Sequence, residues 1–151
     1  MTDSAGPVGY ETEGEIALIC IDNPPVNASG QAVRAGLKAA MARFADSPEK
    51  VAVIYGAGRT FVAGADIREF GNPPLAPHLP HVIDTIETQE KPVVCVLHGT
   101  TLGGGLEIAL GAHYRVALRG ARLGLPEVTL GILPGAGGTQ RLPRLIGLVP
   151  A

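Results

Sequence analysis

Residues 92–110 read PVVCVLHGTTLGGGLEIAL, and this run constrains the chain more than any other. An apolar segment at 92–97, short and rich in β-branched valine, has the signature of a buried strand. His98 and Gly99 end it, and three glycines then open a helix over 104–111 with one acid, Glu107, in its first turn. Glycine removes the Cβ, so a ligand can approach the backbone closely at 103–105. The first turn of a helix leaves N–H groups without intrahelical acceptors, and the positive end of its dipole favours negative charge. The run therefore describes either a seat for a developing anion or a glycine-rich turn with a charge-matched acid.

The remaining sequence alternates strand-like and helix-like segments. Apolar runs predict strands at 16–21, 51–55, 114–118 and 122–124. Apolar periodicity predicts helices at 31–45, with Ser29 as N-cap, at 81–89 and at 139–146, and a short helix at 66–70. Residues 71–80 hold four prolines and read as a mobile surface loop. Alternation of this kind argues an α/β fold built from crossover units. At 151 residues one domain is expected, divided into a flexible N-terminus at 1–13 and a core domain at 14–151. Leu142, Leu145, Ile146 and Leu148 have no later helix to cover them, which predicts either a partner subunit or a longer chain.

Several function classes are excluded. A net charge of −2 and the absence of tryptophan give no footprint for nucleic acid. No apolar run reaches the ~20 residues of a membrane span. The opening residues lack a charged n-region and an apolar h-region, and Cys20 and Cys95 lie in apolar runs as reduced thiols. Both features suit a cytoplasmic setting, with the peroxisome as the alternative in a eukaryote. His78 and His81 lack the neighbours of a metal site, and no G-x-S-x-G elbow is present. The glycines at 56–58 and 135–137 both fail the dinucleotide fingerprint at its third glycine, so no NAD site is expected.

What remains is a constellation. The loop at 63–66 and the glycines at 103–105 each follow a buried strand, where open α/β sheets bind ligands. Backbone N–H groups from two such loops can converge on one oxygen, the geometry of an oxyanion hole. Glu107 and Glu127, both in apolar glycine- and proline-rich settings, can take different ionisation tendencies and divide acid–base work. Twenty positions separate them, and nothing in the spacing makes them meet.

FVAGADI at 61–67, HGTTLGGGLEIAL at 98–110 and LGLPEVTLGILPGAGGTQRLPRLIG at 123–147 resemble, in order and spacing, the enoyl-CoA hydratase/isomerase (crotonase) superfamily. PPVNA at 24–28, GAHYRVA at 111–117 and GLPEVTLGILPG at 124–135 look most like the hydratase half of multifunctional fatty-acid oxidation proteins. The resemblance runs from about residue 14 to the end. It implies the crotonase (ClpP-like) spiral of strand–strand–helix units, without the family's C-terminal helical region. It also implies syn addition of water to a trans-2-enoyl-CoA in β-oxidation, with 3,2-enoyl-CoA isomerisation or an inactive folded fragment as alternatives. By the same resemblance the backbone N–H groups of Ala65 and Gly104 form the oxyanion hole, and Glu107 and Glu127 are the catalytic carboxylates. Ala63, Gly64, Asp66, Ile67, Gly103, Pro126 and Gly135 are the implied contacts to substrate or coenzyme A. The coenzyme A thioester is then the substrate, with no metal and no separate cofactor. The implied partner is either a second copy or the remainder of a longer multifunctional chain.

Overall fold

Every second residue of three neighbouring strands is fully buried, and this period-two pattern sets the architecture. A computed structural model describes residues 6–151. In chain order the elements are β1 (Val8–Glu13), β2 (Ile16–Ile21), α1 (Gln31–Asp46), β3 (Val51–Gly56), β4 (Val62–Ala63) and α2 (Leu79–Glu87). They continue as β5 (Val93–Leu97), β6 (Thr100–Leu102), α3 (Gly104–Gly111), β7 (Tyr114–Ala117), β8 (Arg122–Gly124) and α4 (Gly138–Ile146). Two 3-10 turns, Ile67–Glu69 and Pro126–Leu130, lie between them.

The strands form two sheets, ordered β1-β2-β3-β5-β7 and β4-β6-β8. All neighbours are parallel except β1, which runs antiparallel to β2. The chain thus winds as a spiral: β3, β5 and β7 each join the large sheet, and β4, β6 and β8 follow them into the small one. This is the strand–strand–helix repeat expected from the resemblance. Strands β4 and β6 are two and three residues long, too short to leave a periodic signal in the sequence.

Ala17, Ile19, Ile21, Ala52, Ile54, Val93 and Cys95 face one core with Val33, Leu37, Met41 and Phe44 of α1 and Val82, Ile83 and Ile86 of α2. Each large side chain in it contributes roughly 1.5–3 kcal/mol by leaving water. The opposite strand positions, Leu18, Cys20, Val53, Tyr55, Val94 and Val96, are only half-buried, so one face of the large sheet carries the core.

Two expectations are corrected. A flexible segment through residue 13 is not what forms: Val8–Glu13 is a strand paired along its length, from Val8↔Ile21 to Glu13↔Ile16. A two-residue hairpin loop makes this pairing, with Gly14 at φ +58°, where a side chain would be strained. Tyr10 is buried beneath the Arg43 guanidinium, 4.0 Å from its ring centre. Residues 1–5 lie outside the described residues. Nor does Ser29 cap α1: the N-cap is Gly30, with no side-chain bond. Ser29 is drawn instead to Gly64, and the Gln31 N–H is met by Glu69 Oε1 at 2.5 Å. The proline-rich loop is irregular and largely exposed, yet Arg34 donates to the carbonyls of Leu75 and Pro77, and Gln31 to that of Ala76.

Helix α3 is buried at every residue, from Gly104 to Gly111. A Cβ on Gly105 would stand 2.1 Å from the Val62 carbonyl oxygen, so α3 touches β4 only because Gly105 lacks one. Gly105→Ala is expected to destabilise the fold by about 3 kcal/mol through overpacking. Gly9→Ala, whose new methyl would stand 4.0 Å from Cys20 Cβ, should change stability by no more than about 1 kcal/mol. Urea unfolding midpoints of the two variants check this difference.

Candidate active site

Strands β4 and β6 run side by side, and their last paired residues are Ala63 and Leu102. Each strand then leaves the sheet through a glycine with positive φ, Gly64 at +104° and Gly103 at +52°. The two exits touch, since a Cβ on Gly103 would stand 3.8 Å from Gly64 Cα. Peptide planarity aims the N–H groups that follow, because a trans peptide points its C=O and N–H in opposite directions. The Gly64 carbonyl accepts from the Ser29 N–H at 2.9 Å and from Ser29 Oγ at 3.2 Å. The Ala65 N–H therefore faces away from Ser29. The Gly103 carbonyl accepts from the Glu107 N–H at 3.0 Å inside the helix, which turns the Gly104 N–H out of its N-terminus. Among the described residues neither N–H donates to a backbone carbonyl.

Glu107, 3% exposed, sits one turn into α3. Its Oε1 accepts from the Ala136 N–H at 2.8 Å and the Gly138 N–H at 2.9 Å. Gly138 is the first residue of α4, so the Glu107 side chain supplies the acceptor that the N-terminus of α4 needs. Its other oxygen takes no protein donor among the described residues.

Glu127 is carried in by the 3-10 turn Pro126–Leu130. A Cβ on Gly103 would come within 2.9 Å of Glu127 Oε1, so this carboxyl lies over the glycine that aims the Gly104 N–H. Its Oε2 is buried without a hydrogen-bond partner. Burial pushes the Glu127 carboxyl above the usual carboxylate range; a hydrogen bond from its own backbone opposes this in part, and the nearby Glu107 charge adds to the rise. The two acids thus feel each other across one small space, which their separation in sequence did not reveal.

The other expected contacts are spread around this centre. Ala63 and Gly64 form the end of β4 and its exit, and Pro126 starts the turn that bears Glu127. Asp66 caps the 3-10 turn at Ile67–Glu69 through the Arg68 N–H. Its carboxylate pairs with the Arg68 guanidinium at 2.7 Å, which holds it below the usual range. Ile67 is 74% exposed. Gly135 stands apart, on a charged cleft shared with Asp84, Glu87, Arg141 and Arg144. An apolar groove of about 730 Å³ runs between α3, β8 and α4, lined by Leu106, Leu110, Leu125, Val128 and Leu142. Leu142 packs on the core at one end of it, while Leu145, Ile146 and Leu148 are exposed.

Ser29, Ala136 and Gly138 are absent from the expected site, yet they orient its groups. The GAGG run at 135–138 is no dinucleotide fingerprint, but small residues ahead of a helix mark a cluster of free donors, and that signal was available. No signal tied Ser29 to Gly64, because its hydroxyl suits a local cap equally well. Among the described residues no three His, Cys, Asp or Glu side chains gather as a metal site, and no helix is long and apolar enough to cross a membrane.

Residues 11–151 match the family model described as enoyl-CoA hydratase/isomerase. A peroxisomal bifunctional enzyme of Danio rerio is 56% identical over 137 residues, which cover 90% of this chain and 19% of that protein. A peroxisomal fatty acid beta-oxidation multifunctional protein of Oryza sativa is 46% identical over 145 residues, 90% of this chain and 20% of that protein. The chain thus spans about a fifth of the length of these curated relatives. The crystal structure of an enoyl-CoA hydratase from Thermoplasma volcanium superposes with a TM-score of 0.87 at 34% identity, covering 95% of this chain and 60% of that one. With its crotonase spiral and a match over nearly its whole length, the chain belongs to the enoyl-CoA hydratase/isomerase family.

Proposed function

We propose that the site adds water to a trans-2-enoyl thioester of coenzyme A. The observation that carries this reading is the pair of carboxyls at one backbone-lined centre, one held by two N–H donors and the other with one oxygen buried and unpartnered. The thioester oxygen would lie between the Ala65 and Gly104 N–H groups, which stabilise the enolate-like charge that builds on it. Glu107, through its free oxygen, takes a proton from water as that water attacks C3. Glu127, whose raised proton affinity suits a donor, delivers a proton to C2. Water adds across the double bond with no net redox change, so the thioester is the substrate and no separate cofactor enters. Ala63, Gly64, Asp66, Ile67, Gly103 and Pro126 would border it, with Gly135 further out.

Moving a double bond from C3 to C2 needs only one proton shuttle, so isomerisation is the second reading on the same groups. The names of the bifunctional and beta-oxidation relatives support fatty-acid oxidation as the process and favour a peroxisomal over a cytoplasmic setting. The exposed Leu145, Ile146 and Leu148 support a covering partner, either a second copy or further chain.

Loss of the enoyl-thioester absorbance of crotonyl-CoA measures hydration directly. Glu107→Gln and Glu127→Gln should each lower the rate by about a hundredfold or more. Isomerisation that survives Glu127→Gln while hydration is lost would assign Glu127 to hydration alone. A chain that neither consumes crotonyl-CoA nor gains thermal stability from saturating acyl-CoA would overturn the reading.

The mutual influence of the acids has its own test. Carbon-13 NMR should show Glu127 titrating above the ordinary carboxylate range, with its proton lost as pH rises through that raised value. In Glu107→Gln the titration should move down, because one negative charge has gone, while burial keeps it above the ordinary range. An unchanged Glu127 titration would mean that the two carboxyls do not share a site.

A further inference from the structure

Arg141 takes no part in the chemistry above, yet its guanidinium ends against the loop that holds Glu107. Its Nη1 donates to the Ala136 carbonyl at 3.1 Å. Its Nε and Nη2 grip Glu87 of α2 at 3.1 and 2.5 Å, and Asp84 lies 3.8 Å away. The guanidinium occupies space that only glycine leaves open: a Cβ on Gly137, at φ +92°, would stand 2.1 Å from Nη1. Ala136 is therefore bracketed, its N–H on Glu107 Oε1 and its C=O on Arg141.

We propose that Arg141 is a positioning residue for Glu107, a strut from Glu87 on α2 to the Ala136–Gly138 loop that aims two N–H groups at one carboxylate oxygen. The guanidinium suits this task because its planar fork fixes direction as well as charge. The Nε and Nη2 edge is spent on Glu87, which leaves Nη1 pointing in one direction at the Ala136 carbonyl. A flexible ammonium would satisfy the acids without that constraint. The competing account is a plain ion pair that ties α2 to α4 and leaves Glu107 indifferent. The kinetic part of the proposal rests on Glu107 being the carboxylate that activates water.

The test compares Arg141→Met with the unaltered chain. If Arg141 acts through Glu107, kcat for crotonyl-CoA hydration falls about tenfold to a hundredfold. KM stays within about twofold, because ground-state binding is untouched. The double variant Glu107→Gln/Arg141→Met should be no slower than Glu107→Gln alone, since the strut has nothing left to position. A loss from Arg141→Met that persists undiminished in the Glu107→Gln background would overturn the proposal. Amide hydrogen exchange supplies a second readout that needs no activity: the Ala136 and Gly138 N–H groups should exchange about tenfold faster in Arg141→Met. Unchanged exchange at both would also overturn it. A wild-type chain without hydration activity would sink the function proposed above, while exchange would still decide the strut. Should Arg141→Met fail to fold, Glu87→Gln, at an exposed position, loosens the same guanidinium. It should show smaller changes in the same direction, and wild-type kcat together with wild-type exchange would refute the strut.

Discussion

The buried Glu107 carboxylate at the start of α4 is the interaction on which this site depends. Glu107 belongs to α3, whose position is set by the core, and its Oε1 receives the N–H groups of Ala136 and Gly138. Those donors would otherwise lie buried and unpaired, at a cost of about 1–3 kcal/mol each. One carboxylate thus docks α4 onto α3 and is itself turned into a fixed orientation. The two outcomes come from the same pair of hydrogen bonds, so the stability of this corner and the aim of the acid are coupled.

Around that bond, glycine serves distinct physical ends. Gly64 and Gly103 turn the backbone through positive φ as β4 and β6 leave the small sheet. Gly105 lets α3 approach the Val62 carbonyl. Gly138 leaves room for the Glu107 carboxylate, which a Cβ would meet at 3.0 Å. None of these positions offers a side chain to a ligand; the chemistry they provide is the placement of backbone N–H groups. In the proposed hydration the acids would carry the proton transfers, and their surroundings differ: N–H donors for Glu107, an unpartnered buried oxygen for Glu127.

Much of the fold was legible from local pattern. The apolar runs at 16–21, 51–55 and 92–97 became β2, β3 and β5, and the helix at 104–111 formed as α3 because its glycines and apolar residues are all buried. The resemblance supplied the spiral. Local pattern failed where pairing, not periodicity, makes the element. β1 carries a mixed polar sequence and exists because β2 offers it an edge. β4 and β6 are strands because they lie beside each other. Ser29 departs from its local cap preference in the same way, since its partner Gly64 is 35 residues away.

The sequence by itself determined the strand–helix alternation, the donor-rich start of α3 and the presence of two acids in apolar surroundings. These follow from periodicity, helix-end chemistry and glycine's freedom, all of which act within a few residues. Only the tertiary structure decided that Glu127 lies over Gly103, that Glu107 caps a helix beginning at Gly138, and that Ser29 and Arg141 brace the peptides involved. Each of those contacts joins segments brought together by sheet pairing and core packing, and no local preference encodes them.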